Sequence, residues 1–219
     1  MELLKATPDK FYDLAIVDPP YRNQNENAPT KDMRNNMFVK GQGLGSMPTL
    51  EYFNELLRVS KNQIIWGANN FQLPQFKGFV VWEKLTISED FTMSMAEIAS
   101  ISESLGTVSK IFSLQPQGSK QDPRIHPTQK PVKLYEWLLT NYAKQGDTIL
   151  DTHLGSGSSA IASNKLGFQF TGIELDKDYF NAACKRIEKA ISQQDMFAQV
   201  PSNQVYEKID LFYQKKDME

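Results

Sequence analysis

The sequence predicts an α/β fold: a mostly parallel, doubly wound sheet with helices on both faces. Three observations predict it. Two apolar runs, Leu14-Ala15-Ile16-Val17 and Thr148-Ile149-Leu150, read as buried parallel strands, and each passes at once into a loop with special backbone needs. Further strand-like runs occur at Gln63–Trp66, Gly78–Trp82, Lys110–Leu114 and Gln169–Ile173. Helical patterns fall at Leu50–Ser60, Val132–Ala143, Ser158–Leu166 and Asp178–Ser192, and strands alternating with helices build βαβ units.

The elements have local reasons. The helix from Val132 follows Pro131, a residue favoured in a first turn, and repeats apolar side chains at Val132, Tyr135, Leu138, Leu139 and Tyr142. The helix from Ser158 meets Gly167, a natural C-terminal stop. Arg22–Pro48 is long, polar and rich in glycine near its end, and Leu114–Pro127 holds three prolines and a glycine. Both read as loops, and long loops in a compact domain tend to be functional or mobile. Beyond Ile191 the chain is polar, with Val205–Phe212 as a short strand or helix.

With 219 residues, the chain fits one α/β domain spanning 1–219. No apolar run reaches the roughly 18 residues of a membrane-spanning helix, and Met1–Lys5 lacks the apolar stretch of a signal peptide. Cys184 is the only cysteine, which excludes an internal disulfide. With two histidines besides, no Cys/His zinc cluster is available, so no metal is expected and a reducing cytoplasmic location is the default. The net charge of −2 argues mildly against a polyanionic partner, but its distribution does not. Lys110, Lys120, Arg124, Lys130 and Lys133 face only Asp122, a local net of +4. Arg22, Lys31, Arg34 and Lys40 against Glu26 and Asp32 give +2. Each group is either solvated loop charge or a surface for a phosphate backbone.

The loop after the second buried strand is Asp151-Thr152-His153-Leu154-Gly155-Ser156-Gly157. Two glycines let the backbone take positive φ and approach a ligand, and the helix beyond offers unpaired N–H groups. Seventeen residues after Gly157 the next strand ends at Glu174, at a distance where an acid can hold both hydroxyls of a ribose. This unit suits an adenosine-containing ligand. Ala160 stands where a dinucleotide fingerprint would place its third glycine. A glycine-rich turn with ordinary capping is the plainer reading, and Glu174 weighs against it.

The first buried strand runs into Asp18-Pro19-Pro20-Tyr21. Two prolines remove two backbone donors, fix φ twice and push the preceding residues to extended conformations. The carbonyls of Asp18 and Pro19 are therefore rigidly presented at the strand's end. Two acceptors, the Asp18 carboxylate and the Pro19 carbonyl, could take the two N–H donors of an exocyclic amino group. They would free its lone pair for attack on a methyl sulfonium, while Tyr21 stacks on a flipped-out base. A rigid turn beside a chance tyrosine is the alternative.

With both motifs in this order, the chain resembles the amino-group DNA methyltransferases of the β type, over roughly Phe11 to Ile187. Ile64–Phe71, Phe79–Lys84 with its Trp-x-Lys, and Ala96–Ala99 with its glutamate match further family segments. His126-Pro127-Thr128-Gln129-Lys130-Pro131 matches the family's His-Pro-x-Gln-Lys-Pro motif. The resemblance implies a circularly permuted class I S-adenosylmethionine-dependent methyltransferase fold, S-adenosyl-L-methionine as cofactor and double-stranded DNA as substrate. It implies Asp18, Pro19, Pro20 and Tyr21 as the catalytic turn. Asp151, His153, Gly155, Ser156 and Gly157 would form the cofactor loop, with Glu174 on the ribose and Thr128 and Lys130 near the carboxylate end. For Lys130 a solvated or DNA-facing position is the alternative, and a lone histidine such as His153 is more often a packing residue. Trp66, Trp82 and Trp137 read as core.

The family places a further strand, with an acid for the adenine ring, ahead of the catalytic strand. Here that strand would be Met1–Ala6 and the acid Glu2. No large target-recognition domain is visible, so Arg22–Pro48 and Val108–Arg124 are the room for DNA reading. Relatives acting on cytosine N4 more often carry serine in place of Asp18, and asparagine there would have pointed to protein glutamine or RNA guanine. The expected reaction is therefore methylation of adenine N6, with cytosine N4, or a non-catalytic DNA-binding relative, as the alternatives. A restriction partner and the oligomeric state are left open.

Overall fold

The computed structural model describes residues 1–20, 47–90, 93–116, 122–195 and 209–213. In chain order the elements are α1 (Glu2–Ala6), β1 (Tyr12–Val17), α2 (Leu50–Val59), β2 (Ser60–Trp66), β3 (Gly78–Glu83), β4 (Ala96–Ile101), β5 (Lys110–Ser113), α3 (Val132–Tyr142), β6 (Thr148–Asp151), α4 (Ser158–Leu166), β7 (Gln169–Glu174), α5 (Lys177–Asp195) and β8 (Ile209–Tyr213). They form an eight-stranded sheet in the order β5-β3-β4-β2-β1-β6-β7-β8.

The sheet is parallel except where β4 runs against both β2 and β3. Strand alternation divides the core in two. Leu14, Ile16, Ile64, Trp66, Val80, Trp82 and Ala99 face α3, α4 and α5, packing on Leu138, Leu139, Ala160 and Ile187. Ala15, Val17, Ile65, Leu150 and Ile173 face α1 and α2, packing on Leu4, Phe53 and Leu56. Fully burying one such side chain contributes roughly 1.5–3 kcal/mol, so both faces hold the sheet. The expected α/β, doubly wound architecture is thus present.

Most expected elements fall within a few residues of their predicted bounds. The correction is at the N-terminus. Glu2–Ala6 is a helix, not a strand, with Glu2 in its first turn, Lys5 in its last and Leu4 buried. Good helix formers with an acid first and a base last favour that state. Glu2 is exposed there and belongs to no strand end. Ala96–Ile101, read only as a glutamate-containing segment, is a central antiparallel strand. The tail strand is Ile209–Tyr213, parallel to β7. The expected loop at Arg22–Pro48 lies outside the described residues except for Met47 and Pro48, and so do residues 117–121 of the second loop. Among the described residues no helix is long and apolar enough to cross a membrane.

The connections fix where a ligand can sit. From β1 the chain winds through α2 to β2 on one side, and from β6 through α4 to β7 on the other. β1 and β6 are direct neighbours, with Leu14 opposite Ile149 and Ala15 opposite Leu150. The strand order therefore reverses between them, and ligands of open α/β sheets bind outside the strand C-termini at such a point.

Candidate active site

Two loops leave the C-terminal ends of β1 and β6 side by side. From β1 come Asp18, Pro19 and Pro20, with Pro19 buried. Tyr21, the fourth member of the expected turn, lies outside the described residues. From β6 comes Asp151–Gly157. Asp151 is almost completely buried and organises this loop: its carboxylate accepts the His153 N–H at 2.9 Å and the Ser159 hydroxyl at 2.6 Å. Burial pushes its pKa up to about 7, against the lowering effect of those two bonds.

Gly157 sits just before α4 in the left-handed region, with φ 75°. A Cβ there would be strained and would meet the Ile187 Cδ1 at 2.8 Å. The glycine thus lets α5 pack hard against the loop. Gly155 is also left-handed and lies against the His126 ring. Its N–H donates to Glu174 at 2.8 Å, which ties the loop to the end of β7. The other Glu174 oxygen accepts the N–H groups of Leu175 and Asp176 at 2.8 and 2.9 Å. Burial raises the Glu174 pKa, and these backbone donors partly offset it. So Glu174 is fixed as an acceptor-rich group beside the glycine loop, suited to accept from the hydroxyls of a ribose diol.

Ser156 is buried, with its carbonyl accepting from Arg186 at 2.7 Å, and Arg186 forms a two-pronged pair with Asp122. Thr128 is exposed, and its hydroxyl lies 3.1 Å from the His126 Nδ1. His153 packs edge-on to Tyr52, with its Nδ1 3.0 Å from the Thr152 hydroxyl. Desolvation lowers its pKa to about 4, which leaves it neutral. Trp66 and Trp82 are buried core residues, and Trp137 is partly buried against the same core.

Lys130 is neither solvated nor spread towards DNA. It is 4% exposed, and its ammonium lies 2.5 Å from the Asp18 Oδ2 and 2.9 Å from the Glu97 Oε2. Its carbonyl accepts the Ser158 hydroxyl at 2.7 Å, at the start of α4. One residue therefore joins the two loops, its backbone to the glycine loop's helix and its side chain to Asp18. Glu97 in turn pairs with Lys84 at 2.6 Å. Burial raises the Asp18 pKa, Lys130 opposes that rise, and Glu97 adds to it. Only Oδ2 carries a partner. Oδ1 is buried and unpartnered among the described residues, which leaves an acceptor free for an incoming donor.

Lys84 and Glu97, which no motif marks for a role, join the site through Lys130. The signal was present in the alternation: Lys84 is two residues from buried Trp82, and Glu97 two from buried Ala99, so both occupy the core face.

A family model described as DNA methylase, for N6 and N4 methylases, matches residues 65–185, more than half of the chain. The Type II methyltransferase M2.DpnII of Streptococcus pneumoniae is 44% identical over 63 residues, 29% of this chain and 24% of that protein. M2.LlaDCHI of Lactococcus lactis subsp. cremoris is 41% identical over 64 residues, again 29% and 24%. The matched segment thus spans about a quarter of each of these relatives. Among solved structures, the M1.HpyAVI–SAM complex is similar with a TM-score of 0.57 at 19% identity, covering 85% of this chain and 94% of that one. The cytosine-N4-specific PvuII DNA methyltransferase gives 0.57 at 13%, covering 96% and 91%. At these identities the likeness is one of fold.

Proposed function

The chain belongs to the N6/N4 DNA methylase family, and from that premise we propose that it transfers a methyl group from S-adenosylmethionine to the N6 amino group of adenine in double-stranded DNA. The observation that carries the reading is the Asp18 carboxylate: one oxygen is held by Lys130, and the other is buried and, among the described residues, unpartnered.

The residues present fit the cofactor by the chemistry of their donor set. Glu174 would take the ribose hydroxyls, and the loop from Asp151 to Gly157 would hold the methionine portion, with His126 and Thr128 at its border. When bound, S-adenosylmethionine supplies a methyl already activated on a sulfonium, so the transfer needs no metal.

The chain's own part is orientation. Asp18 Oδ1 accepts one N–H of the amino group, and the Pro19 carbonyl accepts the other. Together they draw the nitrogen towards tetrahedral geometry and localise its lone pair. The proline pair fixes both acceptors before the base arrives, so little ordering is lost on binding. Burial excludes water that would compete for the amino group, and Lys130 favours the carboxylate form against the rise that burial imposes. Tyr21 would stack on the flipped base. The proton left on the methylated nitrogen is acidic enough to need no strong base.

A non-catalytic relative would have no physical need to keep the Asp18 acceptor and the glycine loop together. A cytoplasmic location accords with this substrate. The test incubates purified protein with labelled S-adenosylmethionine and duplex DNA, then digests to nucleosides for mass spectrometry. N6-methyladenine from the wild type, formed on the order of 10²- to 10³-fold more slowly by Asp18→Asn, supports the reading. N4-methylcytosine replaces the substrate, and transfer unchanged in Asp18→Asn removes the mechanism.

A further inference from the structure

We propose that Glu97 and Lys84 are positioning residues that set the ionisation of Asp18 through Lys130, forming a four-membered charge relay behind the reacting site. The inference rests on Asp18 being the amino-group acceptor described above.

The geometry is an unbroken alternating chain. Asp18 Oδ2 meets Lys130 at 2.5 Å, Lys130 meets Glu97 Oε2 at 2.9 Å, and Glu97 Oε1 meets Lys84 at 2.6 Å. Side-chain exposures run 14, 3, 19 and 7% along it. Each ammonium also lies over an indole, Lys130 at 5.3 Å from the Trp66 ring centre and Lys84 at 5.1 Å from that of Trp82. The fold builds this from one strand position, Glu97 in β4, two residues just past strand ends, Asp18 after β1 and Lys84 after β3, and Lys130 in the loop before α3. Asp18 follows Leu14 and Ile16, Trp82 pairs with Glu97 across β3 and β4, and Trp66 pairs with Ala99 across β2 and β4. The antiparallel course of β4 brings Glu97 to the C-terminal end of β2, which is why it reaches the site at all.

The four charges sum to zero, so the relay can be buried without an uncompensated ion. Its members act on Asp18 with opposed signs. Lys130 and Lys84 favour the carboxylate, and Glu97 disfavours it. Glu97 is itself held low by the two lysines, in spite of burial. Among the described residues, Tyr135 from α3 and Asp151 from β6 also face Asp18, and His126 faces Lys130. Among the described residues, no ion pair or hydrogen bond joins any of them to Lys84. The relay therefore predicts opposite effects from two neighbouring substitutions, which a purely structural pair would not give. Removing Lys84 leaves Glu97 unneutralised, so it competes for Lys130 and raises the Asp18 pKa. Removing the Glu97 charge removes a competitor of Asp18 for Lys130 and lowers that pKa.

The test is a carboxyl carbon-13 NMR titration of the full chain labelled at aspartate, with the Asp18 signal assigned by Asp18→Asn. The Asp18 midpoint is expected to move up by about one pH unit in Lys84→Met and down by about one in Glu97→Gln. The acid limb of methyl transfer, at saturating cofactor and DNA, is expected to move with it in each variant. Shifts of the same sign, or midpoints that stay put, overturn the relay. If Lys84→Met fails to fold, Lys84→Arg keeps the wild-type midpoint while Glu97→Gln still lowers it, and an unmoved Glu97→Gln overturns the proposal. A folded chain with opposed shifts and no methyl transfer leaves the relay standing and removes the proposed function. Transfer with unmoved midpoints does the reverse.

Discussion

Lys130 holds Asp18: its ammonium lies 2.5 Å from the Asp18 Oδ2, while its own carbonyl accepts the Ser158 hydroxyl at the head of α4. The acceptor turn after β1 and the glycine loop after β6 are therefore one mechanical unit, joined across the point where the strand order reverses. Movement of either loop would move the other.

Breaking that joint should cost stability as well as activity. Lys130→Ala leaves two carboxylates, Asp18 and Glu97, facing each other in a desolvated site. Removing one partner of a buried pair costs about 3–5 kcal/mol. Urea unfolding is expected to show a loss of that order, while Lys130→Arg recovers part of it. A loss below about 1 kcal/mol, the size of a surface pair, would show that Lys130 is solvated.

Much of this unit was legible in the sequence. Leu14–Val17 and Thr148–Leu150 are apolar without interruption, and only a strand covered on both faces needs that. Consecutive prolines at 19 and 20 and glycines at 155 and 157 marked the two loops, because few other residues tolerate those backbones. The side chain of Lys130 was not legible. A lysine beside Pro131 has the same sequence signature whether it meets water, a phosphate or a buried carboxylate, and here the partners come from β1 and β4. Ala96–Ile101 was missed as a strand because a buried charge, Glu97, interrupts its apolar pattern. Met1–Ala6 misled in the other direction: a resemblance placed a strand where local helix preference won.

Glu174 gives a binding prediction. Glu174→Gln keeps one acceptor for the backbone donors but loses the charge. Hydrogen bonds to a charged group contribute roughly 1.5–3 kcal/mol, so the dissociation constant for S-adenosylmethionine should rise about 10- to 100-fold. The turnover rate at saturating cofactor should change little. Calorimetry and steady-state kinetics check the two halves of this statement.

Gly157 gives a packing prediction. In Gly157→Ala the left-handed backbone costs about 1–2 kcal/mol, and the new Cβ collides with Ile187 at 2.8 Å. The double variant Gly157→Ala with Ile187→Val should recover part of the overpacking cost but none of the backbone cost. Denaturant unfolding of the single and double variants measures both.

Asp151 gives a pH prediction. Its folded pKa of about 7 stands above its ordinary 3.8, so the folded state binds the proton more tightly. Its contribution is therefore most favourable below 3.8 and is lost as pH rises towards 7. At 1.36 kcal/mol per unit the interval amounts to about 4 kcal/mol. His126 and His153, both lowered to about 4 by desolvation, act oppositely and lose stability as pH falls from 6.5. The Asp151 part is isolated by subtraction: the stability of Asp151→Asn minus that of the wild type should grow as pH rises from 4 to 7. A difference that is flat with pH would contradict the buried, raised carboxylate.

The acceptor role of Asp18 is tested most directly by single-turnover methyl transfer to adenine in duplex DNA, comparing wild type with Asp18→Asn at saturating cofactor. The wild type is expected to yield N6-methyladenine, and Asp18→Asn to slow the step on the order of 10²- to 10³-fold with cofactor affinity unchanged. Equal rates in the two proteins would contradict the account.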